Sequence, residues 1–141
     1  MNAARFGRGV RARLAERSAR RLETIALHEA GHVVAARMLG ATDVTASVDR
    51  ARGGFSFTVT SPFDEAVVLL AGREAEVALT GVDAGGSSYD LRQARRALGY
   101  RIVPLASARS TAAELVHGAR LDIETEAARL LDAAYLGRRS A

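Results

Sequence analysis

The stretch LETIALHEAGHVVAARML, residues 22–39, determines most of what can be inferred about the fold. Apolar side chains occupy almost every side of a helix drawn through it, and Gly40 follows directly. A helix that is apolar all round lies inside a protein. A glycine just after the last helical residue is a common stop signal. We therefore predict a buried helix over residues 22–39.

An H-E-x-x-H motif, formed by His28, Glu29 and His32, lies inside this predicted helix. Residues four apart share one helix face, so both imidazoles can reach a single ion. Glu29 projects about 100° further round the axis, from where it can reach a water on the metal without being a ligand. Burying these groups without partners would cost several kcal/mol, and a metal removes that cost. The motif predicts a zinc site with His28 and His32 as ligands and Glu29 as the catalytic base.

A catalytic zinc site usually has three protein ligands, so the motif needs one more. The chain contains no cysteine, which leaves the carboxylates and His117. Asp90 is favoured because it falls in the first turn of a predicted helix, where the helix dipole stabilises an ionised carboxylate. It also shares a helical face with four apolar residues and so points inward. Asp83, Glu74 and His117 remain as alternatives.

Downstream of the metal motif, the sequence predicts a β-hairpin. Two short segments rich in β-forming residues, 44–49 and 55–60, flank the turn sequence Arg52-Gly53-Gly54. Phe55, Phe57 and Val59 alternate along the second segment. The edge of such a strand can bind an extended peptide, which predicts a substrate-binding role for these three residues. An ordinary hairpin strand that covers the core is the other interpretation.

The remaining sequence is typical of helices. Ser61 and Pro62 predict the start of a second helix that runs to about residue 80, where Gly81 stops it. A glycine-rich loop over 81–87 leads to a third helix that starts near residue 87 or 88 and ends near 99. Ser110 predicts the cap of a final helical stretch reaching residue 136, interrupted at Gly118. The fold class is therefore α+β, mostly α, with a small sheet.

Charge and composition limit the possible functions. All 20 basic residues are arginine, and the missing lysine rules out a Walker A phosphate loop. Seven arginines and a single acid, Glu16, lie in residues 1–21, which we assign as a segment separate from a domain over 22–141. This segment is interpreted as a solvated tail or frayed helix, with contact to nucleic acid as the alternative. No apolar run reaches ~18 residues and no secretory signal precedes the domain, so a cytoplasmic protein without a membrane span is expected.

Several motifs resemble the peptidase domain of the FtsH family, which consists of membrane-anchored AAA+ zinc proteases. Residues 26–34 look like the family's zinc helix, and residues 70–76 resemble its G-G-R-x-A-E segment, with Ala71 in place of the first glycine. Residues 85–94 are similar to its T-G-A-S-N-D-L-x-x-A segment, with Tyr89 in place of the asparagine. The terminal helix of the family resembles residues 123–135.

The resemblance implies that Asp90 is the third zinc ligand, because it matches the family's liganding aspartate. It also implies a zinc endopeptidase, and the missing AAA+ module makes this one independent of ATP, acting on flexible peptide segments. Two other functions stay open at this point. One is a binding or regulatory module that keeps the metal for folding, and the other is a different H-E-x-x-H hydrolase, such as the repressor-cleaving proteases of mobile elements.

Overall fold

A computed structural model of the chain describes residues 3–50, 52–83, 85 and 87–139. It is 75% helical with one two-stranded antiparallel sheet, so the predicted fold class is confirmed. No helix in these residues is both long and apolar enough to cross a membrane. The elements in chain order are α1 (Ala3–Met38), β1 (Thr42–Val48), β2 (Gly53–Thr58), α2 (Pro62–Thr80), α3 (Ser88–Ala97), α4 (Ile102–Gly118) and α5 (Arg120–Arg139).

Helix α1 is twice as long as the predicted buried helix. It runs without a break from Ala3 to Met38, so the arginine-rich residues continue the same helix. The alanine, arginine and leucine content of this region favours helix, and the chain contains no proline before residue 62. Residues 9–21 are all exposed, whereas Leu22 is buried and most residues from Ala26 onward are too. One helix therefore has an exposed half and a core half.

The core half of α1 packs between α2 and α5, with the hairpin against it as well. Gly31 allows the close approach of α2, because a Cβ at this position would lie 2.7 Å from both the Ala71 carbonyl oxygen and the Ala75 Cβ. Helix α2 begins and ends where the sequence predicts. The Ser61 side chain accepts a hydrogen bond from the Asp64 N–H, Pro62 is the first helical residue, and Gly81 ends the helix with φ 74°.

The hairpin forms, but its turn differs from the prediction. The Asp49 N–H donates to the Arg52 carbonyl, and the Arg52 N–H donates to the Asp49 carboxylate, so the reversal spans residues 49–52, of which residue 51 lies outside the description. The predicted turn glycines Gly53 and Gly54 are instead the first residues of β2. Gly53 faces Glu29, and a side chain there would collide with the Glu29 carboxylate.

The predicted start of the C-terminal helical stretch is wrong. Ser110 was expected to cap a helix, but it lies in the middle of α4, which begins at Ile102. Pro104 falls in the first turn of α4, where a missing N–H costs nothing, so proline does not prevent an earlier start. The predicted interruption at Gly118 is present, because α4 ends there and α5 begins at Arg120.

Candidate metal centre

Two helices bring three potential metal ligands together in the core. His28 and His32 lie one turn apart on α1, and Asp90 lies in the first turn of α3. The Asp90 Oδ2 is 3.0 Å from the His28 Nε2 and 3.4 Å from the His32 Nε2. All three residues are buried, with exposed fractions of 9%, 0% and 6% for His28, His32 and Asp90. One donor atom from each lies within 4.8 Å of the others, so this group could hold a metal ion.

The spacing of the donor atoms suits a tetrahedral ion. Ligand atoms at the bond lengths of zinc are about 3.3 Å apart when they occupy two corners of a tetrahedron. The two distances from Asp90 to the imidazoles, 3.0 and 3.4 Å, lie on either side of this value. The distances from Asp90 to the two imidazoles therefore match those of two ligands on one ion, and all three donor atoms lie within 4.8 Å of one another.

Hydrogen bonds at the far side of each imidazole leave the Nε2 atoms for a metal. The His32 Nδ1–H donates to the Val68 carbonyl at 2.8 Å, which makes Nε2 the atom with the lone pair. The His28 Nδ1–H donates to the carboxylate of Glu76 at 3.1 Å. Such outer partners fix the tautomer and the ring orientation of metal-bound histidines. Glu76 therefore orients the His28 ring, and the H-E-x-x-H spacing gives no indication of it.

Two buried atoms test whether ion pairing alone explains this cluster. A protonated His28 between Asp90 and Glu76 would satisfy those three side chains. Among the described residues, it would leave the Glu29 Oε2 buried without a hydrogen-bond partner, and the buried His32 Nε2 with only its 3.4 Å contact to the Asp90 Oδ2. Each such orphan is costly. A cation held by the Nε2 and Oδ2 atoms would satisfy the histidine, and a water on that cation would satisfy the glutamate.

The electrostatics of the site separate its two key carboxyl groups. Burial alone would raise the pKa of Asp90, but hydrogen bonds from His28 and His32 outweigh burial and lower this pKa to about 2. Burial raises the pKa of Glu29 above its ordinary value, although His32 and His28 oppose the rise. Asp90 thus stays ionised as a ligand must, whereas Glu29 holds a proton more readily. A pair of carboxyl groups with opposite shifts is a common sign of divided chemical roles.

The same charges act on His28. Burial pulls the pKa of His28 down, but Asp90, Glu29 and Glu76 together raise it above the ordinary value. The His28 ring thus lies in a strongly negative environment, which also attracts a metal cation.

Two glycines make room for the cluster. A Cβ at Gly72 of α2 would overlap the His32 ring and would lie 2.9 Å from the His28 Nε2. A Cβ at Gly53 of β2 would overlap the Glu29 carboxylate. Gly72 therefore faces the two imidazoles, and Gly53 faces the Glu29 carboxylate, with backbone alone. Gly72 belongs to the segment whose resemblance to G-G-R-x-A-E was noted, and this close approach explains why a glycine is needed there.

A cleft of about 580 Å³ opens onto the cluster. It is lined by both histidines, Glu29 and Asp90, and by residues of the exposed half of α1 and of the hairpin. The Phe55 ring stacks on the His32 imidazole, with ring centres 3.9 Å apart and planes 11° apart. Phe55 therefore holds a proposed ligand in place as well as lining the cleft.

A second groove of about 410 Å³ runs beside β2. Five consecutive residues, 55–59, line one side of it, and Tyr89, Asp90 and Gln93 line the other. Phe57 and Val59, which were predicted to bind substrate, thus lie in this groove, although Val59 is just beyond the end of the strand. In the part of the chain that the structure describes, β2 pairs with β1 alone, so its other edge is unpaired.

Three residues considered as alternative third ligands, Asp83, Glu74 and His117, have other contacts or are exposed. Asp83 accepts a hydrogen bond from Arg73 at 2.9 Å, and Glu74 forms an ion pair with the same arginine at 3.2 Å. His117 is exposed in the last turn of α4. The glycine-rich loop before Asp90 is described only in part, because residues 84 and 86 lie outside the description. Within the described part, the Gly85 N–H donates to the Asp83 carboxylate, which links the loop through Arg73 to α2.

Gly72→Ala is expected to weaken metal binding, because its methyl group would push both imidazoles out of position. We expect a loss of at least about tenfold in zinc affinity, in the range seen when an outer partner of a ligand is removed. Gly118→Ala is the matched control, since a Cβ there meets nothing within 4 Å. That variant should keep its zinc affinity and gain up to about 1 kcal/mol of stability. Equal zinc affinities in the two variants, measured by competition with a chromophoric chelator, would contradict the assigned role of Gly72.

Comparison with known proteins adds no family assignment: no protein-family model matches the chain, and no curated protein matches it.

Proposed function

We propose that this protein is a zinc metallopeptidase that hydrolyses peptide bonds in flexible segments without ATP. The observation that carries the proposal is the convergence of His28, His32 and Asp90 beside the buried Glu29 Oε2, which has no hydrogen-bond partner among the described residues. Ligands that only hold a structural metal do not require an adjacent free carboxylate. A catalytic site does, because the attacking water must lose a proton.

Zinc is the proposed metal because of the donor set. Two imidazole nitrogens and one carboxylate oxygen, with room for a fourth ligand, are typical of catalytic zinc, whereas magnesium and calcium prefer oxygen ligands. When bound, zinc supplies a Lewis acid that polarises the scissile carbonyl and lowers the pKa of an adjacent water. All remaining steps fall to the side chains of the chain itself.

Glu29 is proposed to move the proton. Its carboxylate accepts a proton from the attacking water and later donates it to the amine that leaves. Burial, which raises the pKa of Glu29, makes it a stronger base than an exposed glutamate. Gly53 keeps this side of the carboxylate free of side chains, and Glu29 is buried.

The groove beside β2 is the proposed binding site for the peptide chain. An extended peptide can pair with the free edge of β2 and so lie between the strand and α3. Since Asp90 lines both the groove and the cleft, a peptide in this position passes directly beside the proposed ligands. Phe57 and Val59 then contact its side chains.

A second candidate function is a metal-stabilised binding module. The observation that favours it is the position of the ligands, because an ion would join α1 to α3, and the buried residues of α3 are few. Activity separates the two functions. The test is metal analysis of the purified protein, combined with cleavage of casein and of a peptide library, with and without a chelator. Stoichiometric zinc without any chelator-sensitive cleavage would favour the binding module.

Both functions predict that zinc contributes to folding stability. Removing the ion leaves three buried polar ligands facing one another, so chelation should lower the melting temperature and added zinc should restore it. Magnesium at the same concentration is the control and should not restore it. Identical melting curves for the metal-loaded and chelated protein would show that the cluster binds no metal tightly.

A further inference from the structure

The face of α1 that carries the proposed ligands continues along the exposed half of the helix. At 3.6 residues per turn, residues eighteen apart are five turns apart and point the same way. Val10 is therefore aligned with His28, and Leu14 with His32. Arg17 and Arg21 lie between Leu14 and His28 in the chain and on the same face of the helix. We call these four exposed residues, Val10, Leu14, Arg17 and Arg21, the α1 stripe.

The α1 stripe has basic and apolar character without internal neutralisation. Val10 is 44% exposed and Leu14 is 58% exposed. Among the ion pairs of the described residues, none involves Arg17 or Arg21. Glu16, the one acid in this half of the helix, lies at least about 100° round the axis from the stripe. An anionic ligand can therefore reach both guanidinium groups.

The inner end of the stripe opens directly into the cleft. Arg21 lines the cleft beside the proposed ligands, and Arg52 lines it from the hairpin. Of the acids inside the cleft, Asp90 and Glu76 contact His28. Glu29 is buried beside Gly53. The cleft thus has its negative groups at the candidate metal site, whereas Arg21 and Arg52 line it without an ion pair among the described residues. A ligand that fits this arrangement has its anionic groups at a distance from the atoms that react.

We propose that the α1 stripe and Arg52 bind an acidic segment of the substrate polypeptide next to the scissile bond. This proposal rests on the proposed peptidase function. With a rise of 1.5 Å per residue, Arg21 is about 10 Å and Arg17 about 16 Å along the axis from His28. An extended peptide covers about 3.3 Å per residue, so acidic residues are expected about three and five positions from the cleaved bond. Val10 and Leu14 supply contacts for apolar side chains further out.

Nucleic acid is the other ligand that exposed arginines attract. A peptide is favoured for two reasons. The stripe leads into the cleft at its inner end, and two apolar residues, Val10 and Leu14, lie at its outer end, whereas a phosphate backbone needs no apolar contact. Single-stranded DNA therefore serves as the competing probe in the test.

The test measures binding in the zinc-loaded Glu29→Gln protein, where cleavage cannot obscure affinity. The probes are fluorescein-labelled peptides of one neutral parent sequence, with Glu at the third and fifth positions either before or after the central peptide bond. The matching Gln peptides and a mixed-sequence 20-nucleotide DNA complete the set. For one of these two placements of Glu, the Glu peptide should bind roughly tenfold more tightly than the matching Gln peptide, because two or three exposed ion pairs form. The advantage should shrink in high salt.

Arg17→Ala/Arg21→Ala should remove most of the difference between the Glu and Gln peptides, and Arg52 accounts for what remains. The matched control is Arg11→Ala/Arg109→Ala, which removes the same charge from exposed positions outside the stripe. Melting curves verify that both double variants fold. If either fails to fold, the comparison of Glu and Gln peptides in the Glu29→Gln protein still tests the proposal, because all arginines are present there.

The outcomes separate the two proposals. Equal affinities for Glu and Gln peptides on both sides would overturn the inference, as would DNA that binds more tightly than the Glu peptide and displaces it. An equal loss in both double variants would overturn the assignment to the stripe. If acidic peptides bind selectively but the Glu29-containing protein cleaves none of them, the inference holds and the peptidase function fails.

Discussion

Glu29→Gln is expected to keep its zinc and to lose peptidase activity by about 10²- to 10⁴-fold, the usual contribution of a general base. Glutamine has the same shape, but its amide cannot accept the proton of the attacking water. The ligands are not changed, so metal content should stay the same. The loss should appear in kcat rather than in KM, because the base acts in the transition state and does not bind the peptide. Kinetics on a peptide substrate with parallel metal analysis measure both quantities.

Glu23→Gln is the matched control, because Glu23 lies on the same helix but is exposed. It should behave like the parent protein in metal content and rate. Activity retained in Glu29→Gln would assign the base to another group. A loss of zinc in this variant would show that Glu29 contributes to metal binding instead.

The fold could be predicted from the sequence wherever a local signal has a local cause. Ser61, Pro62 and Gly81 fix the ends of α2 through a side-chain cap, a fixed φ and a left-handed residue, and all three act within a few residues. The turn of the hairpin could not be predicted in this way. Gly53 looks like a turn residue, but its lack of a side chain serves the approach of β2 to Glu29, which lies 24 residues earlier.

The length of α1 shows a related limit. Apolar periodicity marks only the half of the helix that is buried, so it predicts residues 22–39 and gives no signal for the exposed residues before Leu22. Helix propensity alone extends the helix back to Ala3. A prediction that relies on burial therefore ends a helix where its burial ends. The functional inference about the α1 stripe depends on this exposed half being helical.

Some residues of the candidate site could be predicted from local sequence signals, and others could not. His28, Glu29 and His32 are contiguous on one helix, so their spacing alone predicts a shared face. Glu76 and Gly72 come from α2, and nothing in their own surroundings in the sequence indicates that they would orient or accommodate an imidazole. Only the packing of α1 against α2, with Gly31 at the crossing, places them there. A segment resembling a known motif was the single signal that could have singled them out.

Asp90→Ala is expected to have the largest effect on metal binding. Asp90 is 58 residues beyond His32 in the chain, and only the packing of α3 brings its carboxylate within 3.4 Å of both imidazoles. Removing an outer partner of a ligand costs about 10- to 100-fold in affinity, so removing a ligand should cost more than about 100-fold. No hydrolysis should remain. Zinc titration against a competing chelator, with a peptide assay alongside, measures both.

Two further variants make the Asp90 experiment specific. Asp90→Glu keeps the carboxylate but moves it by one methylene, so it should retain zinc while losing more activity than stability. His117→Ala removes a potential ligand from the exposed end of α4 and should change neither property. If His117→Ala lost zinc while Asp90→Ala retained it, the ligand set would be wrong. The resemblance to the FtsH peptidase domain would then be wrong as well, because it depends on an aspartate ligand at this position.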